Sequence, residues 1–311
     1  MPSAPQPPEG RGEIATSAGR LGARLAGGLV PAVPVPFRGR AFDADALRGY
    51  ARWMAAHPVA GVAVNVHTGR GRQLAGPIRR DVLAIWRAAL PDRVLIAGAW
   101  NEASAAEARD LGADAVLAFA PNDAEPVAYH AALARQIPVL AFYLYAAAGG
   151  ADYDDATLRA VLELPGVAGI KVATLDSVIT FQRIAALCRT LPGTLLVSGE
   201  DRFLGYSLQL GARAALVGMG AALTDLQVAL IRAHAAADWP RFVRLTAVLD
   251  RFGAATFTPP MEGYIRRMLW AAAEDGALPT ETCDDPWGPA LPHTEREAVR
   301  GAVRDARAAG S

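Results

Sequence analysis

Apolar runs of strand length alternate with amphipathic, helix-like segments eight times along this chain. The strand-like runs are residues 28–37, 61–67, 93–100, 115–120, 139–145, 167–174, 194–199 and 214–219. The helix-like segments that follow them are residues 43–57, 78–90, 104–111, 126–136, 155–164, 177–191, 202–210 and 223–236. The runs are predominantly apolar without polar alternation, which is typical of parallel strands buried on both faces. Alternating units of this kind predict a parallel sheet covered by helices.

Eight units in 311 residues favour a closed (β/α)8 barrel over an open, doubly wound sheet. The first strand is not followed by a Gly-x-Gly-x-x-Gly turn, which argues against a dinucleotide-binding fold. We expect the barrel to span residues 27–236. Residues 237–311 contain two or three further helical segments separated by proline-rich breaks, and they predict a helical appendage packed on the barrel.

Residues 1–26 are rich in Pro, Gly, Ser, Arg and Ala and lack a sustained apolar stretch. This composition predicts a flexible leader rather than a secretory or membrane-crossing segment. The formal net charge is zero, and no basic stripe alternates with aromatic residues, so we expect neither nucleic acid nor membrane as a partner. The two cysteines do not form a disulfide framework, which indicates a reducing, cytoplasmic setting.

The five histidines are scattered, and neither they nor the cysteines show the spacing of a metal site. Glu200 and Asp201 are adjacent acids, but no histidine or cysteine stands at ligand spacing from them. We therefore expect no metal ion and no bound cofactor.

Lys171 is the only lysine among the 31 basic residues, and it lies inside an apolar strand-like run. A desolvated lysine amine can attack a carbonyl, whereas an arginine guanidinium cannot. Burial lowers the pKa of an amine and so provides the neutral form that reacts. The alternative is that one lysine survives by chance in an arginine-biased composition, with its amine paired to a carboxylate or reaching a strand end. We favour a Schiff-base nucleophile, because buried lysines are rare without a partner or a purpose.

In (β/α)8 barrels the chemistry lies at the carboxyl ends of the strands. Here these ends carry residues 67–70 after strand two, Tyr143 and Tyr145 on strand five, and residues 199–201 after strand seven. A phenol beside a buried amine suits imine formation, because protons must move onto and off the carbonyl oxygen. Tyr143 and Tyr145 share a face of an ideal strand, so periodicity alone does not choose between them.

Four segments resemble a known family. They are Gly169-Ile170-Lys171 on strand six, Tyr143 at 28 residues before the lysine, residues 197–201 (Val-Ser-Gly-Glu-Asp), and residues 33–37 (Val-Pro-Val-Pro-Phe, with Val35 in place of a threonine). Over residues 28–292 the chain resembles the dihydrodipicolinate synthase and N-acetylneuraminate lyase family of class I Schiff-base aldolases. The resemblance implies a (β/α)8 barrel, imine chemistry on a small 2-oxo acid, and a homo-oligomer, either a dimer or a tetramer.

The resemblance also implies roles for individual residues. Lys171 would form the imine and Tyr143 would move protons. Thr68 and Gly69 match two positions of the family's Gly-Thr-Thr-Gly-Glu loop, which holds the keto acid's carboxylate, and Gly199 belongs to the matching segment of strand seven.

The departures from the family concern the substrate. His67 and Arg70 replace a threonine and the glutamate of the carboxylate loop. His67 is either an acid–base group that replaces a missing relay or a hydrogen-bonding loop residue. Arg70 either binds a second anionic group or is solvated. Strand four ends Phe-Ala-Pro where the synthases have a relay tyrosine, and the synthases' arginine after the strand-five tyrosine is also missing.

These features predict a lyase or aldolase that forms an imine with pyruvate or another 2-oxo acid and makes or breaks a carbon–carbon bond. We do not expect a true dihydrodipicolinate synthase. We expect instead a second substrate that is bulkier or less acidic. Two alternatives stay open, a hydro-lyase of the 2-keto-3-deoxy sugar acid dehydratase type and a barrel that binds a ligand without catalysis.

Overall fold

The computed structural model describes residues 11–120, 124–145, 149–175 and 177–310. Eight parallel strands surround a central core in the order β1-β8-β7-β6-β5-β4-β3-β2. They are β1 Leu29–Pro31, β2 Gly61–Val64, β3 Val94–Ala99, β4 Ala115–Ala118, β5 Val139–Leu144, β6 Val167–Ala173, β7 Leu195–Ser198 and β8 Ala214–Val217. A bridge between Ala32 and Ala63 joins the first strand to the second. The predicted (β/α)8 barrel is confirmed.

One helix precedes the first strand, and the others lie between the strands or beyond the last of them. They are α1 Arg11–Leu25, α2 Ala44–Ala55, α3 Gly76–Ala89, α4 Glu102–Asp110, α5 Pro126–Ala134, α6 Asp155–Leu162, α7 Val178–Arg189, α8 Leu204–Gln209, α9 Thr224–Ala235, α10 Trp239–Thr256, α11 Tyr264–Glu274 and α12 His293–Gly310. A small antiparallel hairpin pairs Phe37–Arg38 with Ala41–Phe42 beside the barrel. No helix in the described part of the chain is both long and apolar enough to span a bilayer.

The buried side chains form two clusters, one inside the barrel and one between the strands and their helices. On β5 the side chains of Leu140, Phe142 and Leu144 belong to the interior cluster. Those of Val139, Ala141 and Tyr143 belong to the outer cluster, because successive side chains point to opposite faces of a strand. The parity of a residue therefore decides whether its side chain reaches the barrel interior.

A bulge in β6 changes how this strand pairs with β5. Val139 lies opposite Val167, but the next residue, Leu140, lies opposite Gly169, so the strand pair skips Ala168. Beyond this point the offset between partners is 29 residues instead of 28, and Phe142 faces Lys171. Glycine is needed at position 169 because a Cβ there would collide with the backbone oxygen of Leu195.

The expected leader is partly a helix. Residues 1–10 lie outside the described residues, but residues 11–25 form α1, so the prediction of a flexible segment was wrong for them. Ala18, Leu21 and Leu25 are buried in the same cluster as the barrel interior, and Arg24 forms an ion pair with Asp114 at 2.6 Å. The apolar positions recur at helical spacing, which the Pro- and Gly-rich composition of the whole segment obscured. Helix α1 thus covers the amino-terminal end of the barrel.

The expected carboxyl-terminal appendage contains three helices, α10 to α12. The Arg267 guanidinium, on α11, is fully buried, and its Nε donates to Glu295 Oε2 at 2.7 Å. The same guanidinium donates through NH1 to the backbone oxygen of Thr258 at 2.7 Å. This arginine ties α12 to the segment that precedes α11, which places that segment over the mouth of the barrel.

Replacing Leu25 with alanine should destabilise the protein by about 2–5 kcal/mol, because it removes a fully buried side chain and leaves a cavity under the barrel. Chemical denaturation measures the free energy of unfolding. The matched control is Arg20→Ala on the exposed face of the same helix, where a change within about 0.5 kcal/mol is expected. Equal effects of the two substitutions would contradict the packing of α1.

Candidate active site

Lys171 lies on β6 with its side chain in the upper part of the barrel interior, and only 8% of the residue is exposed. Its Nζ lies 4.3 Å from the centre of the Phe142 ring, its register partner on β5. The amine borders a cavity of about 30 Å³, room for about one water molecule. A neighbouring cavity of about 180 Å³ shares Val66, His67, Phe142 and Leu144 with it.

Gly199, just after β7, gives the lysine side chain its space. A Cβ at this position would lie 2.5 Å from Lys171 Cε, a distance that the two carbons cannot adopt. The residue borders the amine's cavity, as expected for a site residue, although its evident role is to leave room for the amine.

Two adjacent acids at the end of β7 surround the lysine with buried negative charge. Glu200 is fully buried and accepts hydrogen bonds from the backbone amides of Thr174 at 2.7 Å and Leu175 at 2.9 Å. Asp201 accepts from the Met219 amide at 2.7 Å. The two carboxyl groups therefore connect the ends of β6 and β8 to the end of β7.

The pKa values of these three groups are shifted by their burial. Desolvation lowers the pKa of Lys171 to about 8, against the opposing effect of Asp201 and Glu200. Burial raises the pKa of Glu200 to about 7. It also raises that of Asp201 to about 7, although the Met219 amide and the Lys171 charge oppose the shift. Burial therefore lowers the pKa of Lys171 and raises that of Asp201, which reduces the preference of a proton for the amine over the carboxyl group.

Tyr143 does not share a cavity with Lys171. Its hydroxyl donates to Asp152 Oδ1 at 2.5 Å, and its ring packs edge-on against Tyr153 with the Arg183 guanidinium 5.9 Å away. It points to the helix side of β5 because side chains alternate along this strand and the neighbouring Phe142 points to the interior. The expected pairing of Tyr143 with Lys171 is therefore corrected: the side chain that faces the amine is Phe142, which has no hydroxyl.

The loop after β2 contributes Val66 and two polar residues to the cavity of Lys171. His67 and Thr68 border it, whereas Gly69 and Arg70 do not. A Cβ at Gly69 would lie 3.1 Å from the Val33 oxygen, so this glycine permits close packing of the loop on β1. Of the predicted site residues, the structure brings Lys171, His67, Thr68 and Gly199 together around one cavity.

Arg70 binds two acidic side chains of the carboxyl-terminal appendage. Its guanidinium is buried and binds both carboxylate oxygens of Asp285, at 3.1 and 2.7 Å, and Glu262 Oε2 at 2.8 Å. The other oxygen of Glu262 lies 3.0 Å from His67 Nε2. The hydrogen bond from His67 and the bonds and charge of Arg70 lower the pKa of Glu262 to about 2. The expectation of a substrate-binding or solvated Arg70 is corrected: it fastens the appendage to the barrel mouth.

Tyr264, the first residue of α11, is a cavity residue that the sequence did not indicate. Its ring borders the cavity of Lys171, and its hydroxyl lies 3.0 Å from Thr68 Oγ1. The two residues are 196 positions apart, so no local pattern or spacing connects them. Tyr145 also borders the cavity, since the backbone departs from strand parity after Leu144.

Within the described ranges, no three His, Cys, Asp or Glu side chains are placed to hold a metal ion. The chemistry available at this cavity is that of a buried amine, the carboxyl group of Asp201, an imidazole, a threonine hydroxyl and two phenols.

Comparison with known proteins identifies a family. The model of the dihydrodipicolinate synthetase family matches residues 25–305. A 4-hydroxy-tetrahydrodipicolinate synthase of Ruegeria pomeroyi is 29% identical over 199 residues, which cover 59% of this chain and 67% of that protein.

Solved structures show the same fold. A putative dihydrodipicolinate synthetase from Pseudomonas aeruginosa superposes with a TM-score of 0.78 at 18% identity, covering 90% of this chain and 99% of that one. An N-acetylneuraminate lyase from Mycoplasma synoviae superposes with a TM-score of 0.75 at 18% identity, covering 91% and 98%.

Because Lys171 is the only lysine, protein labelled with ¹³C-lysine should show one side-chain Cε signal, and its titration reports the amine directly. We expect a midpoint of about 8, compared with 10.5 for an ordinary lysine. Asp201→Asn should move the midpoint lower, because the negative charge of Asp201 favours the protonated amine. Asp110→Asn, on the exposed surface of α4, is the control and should leave it unchanged. A midpoint close to 10.5 would contradict the burial of the amine.

Proposed function

Because the chain belongs to the dihydrodipicolinate synthetase family, we propose that it is a Schiff-base lyase or aldolase that acts on pyruvate or another 2-oxo acid. The observation that carries the proposal is the position of the sole lysine, buried on a barrel strand beside a cavity at the carboxyl ends of the strands. Its pKa, lowered to about 8, keeps a useful fraction of the amine neutral near pH 7. A surface lysine would be almost entirely protonated at that pH.

The proposed reaction begins with attack of the Lys171 amine on the carbonyl carbon of the 2-oxo acid, followed by loss of water to form a protonated imine. The positive nitrogen withdraws electrons from the neighbouring carbon. That carbon can then lose a proton or a carbon fragment to give an enamine, or the enamine can attack a second carbonyl compound. Formation and cleavage of a carbon–carbon bond are therefore the two directions of one reaction.

Thr68 is the residue of the carboxylate loop best placed to act on the bound keto acid, because its hydroxyl borders the cavity of the amine. His67 borders the same cavity, and its Nε2 is paired with Glu262. We propose that His67 orients this carboxylate-binding loop and is available as an acid or base at the mouth. Gly69 supports the loop through close packing rather than by contact with the cavity.

We also propose that the reaction is not that of a dihydrodipicolinate synthase. The larger cavity has a mixed wall, in which Trp100 and Phe119 are apolar and Arg72 and Gln73 are polar. The sequence has no arginine at residues 146–148, which lie outside the described residues, where the synthases bind the carboxylate of the semialdehyde. The aromatic part of the wall fits a second substrate that is bulkier than the semialdehyde. A cytoplasmic location, expected from the cysteine content, and a homo-oligomer, expected from the resemblance, stay predictions.

One observation favours a second candidate. Phe142 stands opposite the amine where a proton-transferring phenol was expected, and a barrel that only binds a ligand would tolerate that change. A dehydratase acting on sugar acids would share the imine steps and differ only in the group that leaves.

Incubation with pyruvate and borohydride should reduce the imine to a stable adduct on the peptide that contains Lys171. Lys171→Arg, which keeps the positive charge but lacks a reactive amine, should abolish the adduct while the thermal unfolding remains cooperative. Mass spectrometry of the intact protein and its peptides measures both. No adduct across a panel of 2-oxo acids would contradict the proposal. Stabilisation by a 2-oxo acid that persists in Lys171→Ala would favour the binding barrel.

The semialdehyde co-substrate of the synthases should support little turnover with pyruvate. Loss of a charge-assisted contact to its carboxylate costs about 1.5–3 kcal/mol, roughly a 10- to 150-fold loss in kcat/KM. A coupled assay can compare this protein with the Ruegeria pomeroyi relative at equal concentration. Equal kcat/KM values for the two proteins would overturn this part of the proposal.

A further inference from the structure

Imine formation needs a group that gives a proton to the carbonyl oxygen and takes it back. The position opposite the amine is occupied by Phe142, and Tyr143 faces the helices. We propose that Tyr264, at the start of α11, is the proton-transfer residue of the Lys171 site. The inference rests on the imine chemistry proposed above and assigns to the carboxyl-terminal appendage a part of the active site.

The geometry places this phenol at the reacting centre. Tyr264 borders the cavity that also holds Lys171 and Thr68, and the residue is only 6% exposed. Its hydroxyl lies 3.0 Å from Thr68 Oγ1, so the two hydroxyls can exchange a proton directly. A carbonyl group bound at the amine would have this pair of hydroxyls within the same small volume.

The ring of Tyr264 is held in place from several sides. It stacks on Phe257 with 4.8 Å between ring centres, and the centre of the His67 ring lies 5.9 Å from its own. A Cβ at Gly218 would lie 3.2 Å from the Tyr264 ring, so the glycine leaves room for close contact with the phenol. A fixed phenol avoids the entropy cost of ordering a mobile acid in the transition state.

The first step, formation of the carbinolamine, requires two proton transfers that leave Tyr264 unchanged. As the neutral amine of Lys171 attacks, the C–N bond forms and the carbonyl π pair moves to oxygen, which takes the proton of the Tyr264 hydroxyl. The proton that the nitrogen then loses returns to the phenolate through Thr68, and a neutral carbinolamine results.

Departure of water needs one more proton. Tyr264 passes a proton to the leaving hydroxyl while the nitrogen lone pair forms the iminium, and the buried carboxyl of Asp201 replaces that proton. Neutral amine, protonated Asp201 and ketone thus become iminium, Asp201 carboxylate and water.

The electrostatics of the site suit this role. Burial raises the pKa of Tyr264 well above its usual value of 10, so the phenol is neutral at every working pH. It donates only to a strongly basic oxygen such as the developing alkoxide, and it recovers the proton at once.

The test follows the trapped adduct over time in wild type and in Tyr264→Phe with pyruvate and borohydride quenching. The rate of imine formation should fall by about 10²–10⁴-fold, the usual contribution of a positioned acid–base group. The amount of adduct reached at equilibrium should stay the same, because a catalyst changes the rate and not the equilibrium. A purely structural role for Tyr264 would lower both. Phe142→Tyr in the Tyr264→Phe background, which restores a phenol opposite the amine, should recover part of the rate.

The control is Tyr50→Phe, another fully buried phenol, whose hydroxyl donates to the Ala221 oxygen away from the cavity. Its rate should equal that of wild type. An unchanged rate in Tyr264→Phe, or a loss of rate in Tyr145→Phe alone, would overturn the assignment while leaving the imine chemistry intact. Absence of any adduct in wild type would instead refute the proposed function, and this role with it.

Discussion

Removal of a single amine from water is the constraint on which the site depends. Lys171 is enclosed by β5, β6 and β7, with the Phe142 ring against its Nζ and two acids at the end of the neighbouring strand. Burial favours the neutral amine and the acids favour the charged one, and the balance lies at a pKa of about 8. Two neighbouring residues shape this environment. Gly199 leaves space for the aliphatic part of the lysine side chain, and Glu200 accepts a hydrogen bond from the end of the strand that carries the lysine.

The bulge in β6 decides which neighbour the amine has. A shift of one residue in the pairing of β5 and β6 places Lys171 opposite the Phe142 ring. Tyr143 points to the helices through the alternation of side chains along β5. The phenol in the cavity comes instead from α11, held against Thr68 by the stacking of Phe257. The buried network of Arg70, Asp285 and Glu262 fastens this part of the appendage to the loop after β2. The appendage is therefore a structural part of the mouth.

The strand and helix pattern predicted the barrel well, because apolar periodicity is a local property that burial imposes on each element. It failed for α1, where helical spacing of Ala18, Leu21 and Leu25 is embedded in a Pro- and Gly-rich segment. Arg70 was taken for a solvated or anion-binding residue, because its partners lie about 190–215 residues away. Tyr264 was missed for the same reason.

The sequence by itself determined that eight parallel strands would close into a barrel and that the chain resembles Schiff-base aldolases, and it singled out one lysine in an apolar strand as the candidate nucleophile. Only the tertiary structure decided which side chains face that amine. The direction of a side chain on a strand has a period of two, so one extra residue in a bulge reverses it, and a count along the chain cannot detect the reversal. Contacts between distant segments depend in turn on how the completed barrel and the appendage pack together.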